Sequence, residues 1–163
     1  MIAYCIGNGP SRKNFQLQRL TNGQTYGCNA LHRDFLPDHL FCLDREIATE
    51  WDEQKIQYKC KVYAPIHEVE RRKGFNLIPS FEKLPLSGDQ CVKTAYVNGC
   101  RHIILIGYDY MEYGENKLNN IYQGTRSYGV RITKEEFSKS IKWFLNFVKE
   151  KQDCKFTIVH DSI

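Results

Sequence analysis

Six short apolar runs recur along the 163 residues, and stretches with helical spacing separate most of them. IAYCI (2 to 6), TYGCN (25 to 29), LFCLD (40 to 44), CKVYA (60 to 64), HIILIG (102 to 107) and KFTIV (155 to 159) read as strands. Several are apolar on both faces, as buried parallel strands are. Between them, REIATEWDEQK (45 to 55) sets Ile47, Ala48 and Trp51 on one side of a helix. GDQCVKTAYVNG (88 to 99) does the same with Cys91, Val92, Ala95 and Tyr96, and stops at Asn98-Gly99. The clearest helix covers 133 to 151: Thr133 and Glu136 form a capping box, and Phe137, Ile141, Phe144, Leu145 and Val148 make an apolar stripe. This alternation specifies an α/β fold: a Rossmann-like, doubly wound, mostly parallel sheet in a single domain.

Composition narrows the setting. Apolar residues make up 42% and charged residues 26% of the chain, so a core can form, and no apolar stretch approaches the ~20 residues of a membrane span. The opening MIAYCIGNG has neither the basic start nor the small-residue cleavage site of a signal peptide, so a cytoplasmic protein is expected. Seven cysteines without any C-x-x-C spacing fit reduced, buried thiols, and no zinc or other metal site is expected. The net charge of +4 is concentrated in PSRKN and VERRKGF, either as solvated faces or as phosphate contacts.

In an open parallel sheet ligands bind beyond the carboxyl ends of the strands, where strand order reverses. At that edge the sequence places Gly7, Asn8, Gly9, Pro10 and Ser11, then Asn29, Asp44 and the residues after HIILI. The bare GNGPS turn has two readings: tight geometry with Ser11 as a cap, or backbone amides left free for an anion. It is neither the dinucleotide fingerprint, since Arg12 occupies the third glycine's place, nor a P-loop. Asp44 is a candidate general base or a helix N-cap, and Asp109 is catalytic or a carboxylate fixing its loop. The stretch 108 to 132, rich in Tyr, Asn and Gly, has the length of a functional lid.

IGNGPSRKNFQLQRL…YGCN followed by LSGDQCVKTAYVNGCRHIILIGYDYMEYG resembles the bacterial lipooligosaccharide sialyltransferases and the related motility-accessory-factor group. The likeness covers residues 1 to 47 and 86 to 114, in order, spacing and strand context. It implies Asn8, Gly9, Ser11 and Asn29 as contacts to the ribose and phosphates of a nucleotide sugar, with Ser87 and Gly88 gripping the nucleotide, and no metal. Asp109 matches the family's G-x-D aspartate, and Tyr110 follows it. The chain departs from the pattern in two places. No histidine lies between His102 and His160 to serve as the family's general base, and Met111 stands where the family has a tyrosine.

The expectation is therefore a glycosyltransferase using a UDP- or CMP-linked sugar as co-substrate, with no other cofactor. Its acceptor is a glycan hydroxyl, as in the sialyltransferases, or a hydroxymethylated base in double-stranded DNA, as viral base-modifying enzymes use. For DNA, Arg12, Lys13, Arg33, Arg45, Arg71, Arg72 and Lys73 are candidate phosphate contacts, and Tyr113 and Tyr122 are candidate stacking residues for an extruded base. A nucleotide-binding module without catalysis is the alternative of a different class. A phosphate-transfer enzyme is disfavoured by the lack of a P-loop lysine or a metal-binding carboxylate pair.

Overall fold

β1 (Ile2–Ile6), β2 (Gln24–Cys28), β3 (His39–Phe41), α1 (Arg45–Glu53), β4 (Lys61–Ala64), α2 (Ile66–Val69), β5 (Asn76–Leu77), α3 (Ser87–Val97), β6 (His102–Ile106), α4 (Lys134–Glu150) and β7 (Lys155–Val159) follow one another along the chain. The structure is a computed structural model describing residues 1–79, 82–110, 120–128 and 132–159. All pairings in the sheet are parallel, in the order β5-β4-β3-β2-β1-β6-β7. From β1 the chain steps outward to β5, then α3 carries it back across the sheet to β6 on the other side of β1. Strand order thus reverses between β1 and β6, which puts the crevice of a doubly wound fold beyond Ile6 and Ile106.

Both faces of the sheet are covered, as the apolar runs require. On one face Ala3, Cys5, Tyr26, Phe41, Tyr63, Ile103 and Leu105 pack under α3 and α4 through Cys91, Val92, Ala95, Phe144 and Phe147. On the other, Ile6, Leu40, Cys42, Val62 and Ala64 pack under α1 with Leu17, Leu31, Ile47, Trp51 and Phe75. The period of two along each strand sorts neighbours to opposite layers. Each fully buried Leu, Ile or Phe stabilises by about 1.5–3 kcal/mol. Every cysteine is a free thiol, and Cys5, Cys28, Cys42, Cys91 and Cys100 are buried.

Element existence follows the sequence pattern more closely than element bounds. β2 and β3 begin one residue earlier than the apolar runs suggest and end before Asn29 and Cys42, because both strands yield to the turns at the sheet's carboxyl edge. β5 is a two-residue strand paired through Tyr63–Asn76 and Ala64–Leu77, too short to leave a period. The capping box of α4 is present: Thr133 Oγ1 accepts from the Glu136 amide at 3.2 Å and Glu136 Oε2 accepts from the Thr133 amide at 3.0 Å. The stripe of that helix needs correction. Ser140, Phe144 and Phe147 are buried, whereas Leu145 is 61% exposed, because α4 turns its 140–144–147 edge toward Tyr110, Tyr96 and Phe156. The helix read over 88 to 99 does end as expected: Gly99, at φ +94°, donates its amide to the Tyr96 carbonyl.

Candidate functional site

The GNGPS turn is bare because another backbone lies against it. A Cβ on Gly7 would stand 2.6 Å from the Gly107 carbonyl oxygen, and one on Gly9 would stand 2.4 Å from Asp109 Oδ2. The Gly7 amide donates to Ile106 O at 2.7 Å, the Gly9 amide to Gly107 O at 2.9 Å and the Ser11 amide to Asp109 Oδ2 at 2.8 Å. The Ser11 hydroxyl is also bonded to Asp109, and Pro10, at the start of a short 3-10 turn, has no N–H to give. The idea that these amides are free for an anion is therefore corrected: they seal β1 to β6 at the switch point. Asp109 lines the cavity as well, but both of its oxygens are bonded to Ser11, which favours the structural of its two readings: it fixes the first turn. Pro10 and Ser11 do not line the cavity beside the turn.

Asn8 is 6% exposed, and both ends of its side chain are engaged. Its Nδ2 donates to Cys28 O at 3.0 Å, tying the turn to the end of β2, and its Oδ1 accepts from Arg12 at 2.9 Å. It borders the cavity but acts first as a brace. Arg12, expected to meet DNA phosphates, is 4% exposed and spends its guanidinium on Gly7 O, Asn8 Oδ1 and the Tyr122 hydroxyl. The phosphate-contact reading of Arg12 is overturned by that burial.

A cavity of about 270 Å³ opens beyond the strand ends. Its walls bring together Gly7, Asn8, Gly9, Asn29 and Asp44 with Ser87 and Gly88 at the start of α3, Gly107 to Tyr110 after β6, and Glu136 and Ser140 on α4. The Tyr108 ring lies close against Gly88: it would meet a Cβ there at 3.2 Å, a tight contact, and its hydroxyl donates to Gly88 O at 2.8 Å. The first amides of α3, at Ser87 and Gly88, have no carbonyl within their own helix to bond, and both residues line the cavity. Tyr110 packs its ring against Phe144 at 5.4 Å between centroids, and its buried hydroxyl has no hydrogen-bond partner among the described residues.

Carboxylates from three helix starts converge on this cavity. Asp44 occupies the N-cap place of α1 but makes no capping hydrogen bond, which leaves its carboxyl to the cavity. Burial of its surroundings, then Glu46 and Glu136, raise its pKa above the ordinary aspartate value. Asp89, in the first turn of α3, is 1% exposed and accepts from the Leu86 amide and from Ser140 Oγ at 2.8 Å. Burial pushes its pKa up to about 7, against those two hydrogen bonds. No lysine or arginine lines the cavity among the described residues. Sequence reasoning missed Asp89 and saw Glu136 only as a cap. The signal was present in Asp89 following the Ser87-Gly88 pair and in Ser140 standing one turn beyond Glu136.

Four more expected acceptor contacts have partners within the fold. Arg33 grips Glu50 with two nitrogens, at 2.6 and 3.1 Å, and also bonds Thr125 and the Arg126 carbonyl. Arg45 and Arg72 both bind the fully buried Glu68, each at 2.9 Å, and Arg72 reaches Asp52 and Thr49 as well. Tyr122 is 6% exposed, with its hydroxyl between Asp34 and Arg12, so it cannot stack on an extruded base as expected. Lys13, Arg71 and Lys73 are exposed and stand away from the cavity. Tyr113, and the parts of the expected lid at 111–119 and 129–131, lie outside the described residues. Comparisons of the chain with protein-family models, with curated proteins and with solved structures give no match.

Proposed function

We propose that the protein transfers a glycosyl group from a nucleotide sugar, UDP- or CMP-linked, to an acceptor hydroxyl, with Asp44 as the general base. The observation that carries this reading is the placement of Asp44: a helix-start carboxylate with no capping bond and a raised pKa, in a cavity at the switch point that also receives the start of α3. The donor's phosphate lies at the Ser87 and Gly88 amides, where the helix dipole favours negative charge as the leaving group departs. The acceptor hydroxyl gives its proton to Asp44 while its oxygen bonds to the anomeric carbon and the bond from that carbon to the phosphate oxygen breaks. Motif order, from GNGPS through C-N and S-G to G-x-D, supports the same reading by resemblance.

The acceptor is a glycan or a hydroxymethylated base in DNA. With Arg12, Arg33 and Arg72 engaged inside the fold and the exposed Arg45 paired to Glu68, Lys13, Arg71 and Lys73 are the basic residues that this second acceptor would use. A nucleotide-binding module without transfer is the second reading, favoured by the absence of any histidine from the cavity walls among the described residues. Thermal-shift titration against CMP, UDP and GDP and their sugar conjugates tests binding, since a ligand stabilises the state that binds it. Nucleotide release from the sugar conjugate then separates the two readings. Stabilisation with release supports the transferase, stabilisation without release supports the module, and no stabilisation by any of them rejects both.

A further inference from the structure

Among the described residues, Asn29 is the one non-glycine cavity residue with a left-handed backbone, at φ +55°, a conformation that a side chain adopts at a cost. Four side chains hold it there. The Asn29 carbonyl accepts from Trp51 Nε1 at 3.0 Å and lies 3.3 Å from His32 Nδ1, and the other nitrogen of that ring is 2.9 Å from Glu50 Oε2. On the far side of the same peptide, the Ala30 amide donates to the Tyr128 hydroxyl at 3.2 Å. Trp51 and Glu50 come from α1, and Tyr128 comes from the 120–128 segment. Three parts of the fold thus converge on one peptide unit.

The carboxamide oxygen of Asn29 is buried and has no hydrogen-bond partner among the described residues. A buried acceptor left unsatisfied is costly, and here a clamped, strained backbone maintains it at the wall of a cavity instead of relieving it. We propose that Trp51, His32 and Tyr128 are positioning residues that preset Asn29 as an acceptor for a hydroxyl or N–H of the ligand. A phosphate has no proton to offer this atom in its ionised form, so this wall takes the donor-bearing part of the ligand, its sugar or base. The phosphate is left to the start of α3. In the nucleotide-sugar reading, on which this inference rests, Asn29 recognises the nucleoside or the glycosyl group.

The clamp separates binding from stability. Glycine adopts a positive φ without strain, so Asn29→Gly keeps the turn and removes only the acceptor. Tyr128→Phe keeps a ring and removes the acceptor for the Ala30 amide, and Trp51→Phe keeps a ring and removes the donor to the Asn29 carbonyl. Calorimetric titration with CMP, UDP, GDP and their sugar conjugates, paired with thermal melting, reads all three variants. Asn29→Gly is expected to melt no lower than the wild type and to bind at least about tenfold more weakly, with about three- to tenfold losses in Tyr128→Phe and Trp51→Phe. Wild-type affinity in Asn29→Gly overturns the acceptor role. Loss in Asn29→Gly with full affinity in the other two overturns the clamp. A wild-type protein that binds none of these probes overturns the nucleotide reading itself, and this inference with it.

Discussion

Two sets of carboxylates, one buried under α1 and α2 and one at the cavity, are treated in opposite ways by the fold. Glu50 and Glu68 are 1% and 0% exposed, and each meets arginines: Arg33 and Arg126 at the first, where His32 also lies 2.9 Å away, and Arg45 and Arg72 at the second. Burial works against their ionisation, yet these partners hold both pKa values below the usual glutamate range. Asp44, which is exposed, and Asp89, which is buried, line a cavity with no lysine or arginine on its walls among the described residues, and both have raised pKa values. The arginines are spent on structure, and the un-neutralised acids are collected where chemistry has room. Charge clusters in the sequence therefore pointed away from the site.

Removing one partner from the compensated set has the largest expected effect. Arg72→Met leaves Glu68 with one arginine fewer, strips Asp52 and Thr49 of a donor, and is expected to cost about 3 kcal/mol in urea denaturation. The double variant Arg72→Met with Glu68→Met restores part of that loss. A single variant within 0.5 kcal/mol of the wild type, roughly the effect of an ordinary surface change, would break the contrast.

Next comes the brace at the switch point. Asn8→Ala leaves Cys28 O and the Arg12 guanidinium each short of a partner and is expected to destabilise by about 2 kcal/mol. Any accompanying loss of ligand affinity is secondary to that, since the side chain is engaged inside the fold.

The uncompensated set responds to pH with the opposite sign. Because Asp89 has a folded pKa of about 7 and an unfolded value near the ordinary ~3.9, the native state holds more protons between the two, and stability falls as pH rises through that window. Glu50 and Glu68, with lowered values, lose their contribution as pH falls instead. Asp89→Asn keeps an acceptor for Ser140 and the Leu86 amide and removes the cost of charging. It is expected to stabilise by about 1–2 kcal/mol at pH 8 and to change little at pH 4, read by melting at both. Equal effects at the two pH values would show that the carboxyl is not strained by burial. The smallest effect belongs to Lys13→Ala, Arg71→Ala and Lys73→Ala, each expected within about 0.5 kcal/mol of the wild type.

How much of this was legible in the sequence depends on the length scale of the signal. The doubly wound sheet was legible because a period of two in buried runs and of 3.6 between them is local, and the helix ends at Thr133 and Gly99 were written in cap residues. The cavity's position was legible from strand ends. The roles of Asn8, Arg12 and Asp109 were less so, because the partners that consume them, Cys28, Tyr122 and Ser11, lie 20 to 110 positions away in sequence and meet them only in the assembled fold. Of the two readings that glycine in the first turn allows, tight geometry or an opening for a ligand, the structure bears out the first: it marks two backbones in contact. Asp89 escaped notice because an aspartate in a helix's first turn looks ordinary until its burial is known.

The central claim is that Asp44 accepts the proton of an acceptor hydroxyl, and its most direct test is nucleotide release from the preferred sugar conjugate, measured against pH for the wild type and Asp44→Asn. With Asp44 as base, the wild-type rate climbs as the raised carboxyl deprotonates, above the ordinary aspartate range. Asp44→Asn then loses about 10²- to 10⁴-fold in kcat and that rising limb, while Kd for the nucleotide is unchanged. Release by Asp44→Asn at the wild-type rate, with the same pH profile, would contradict the account.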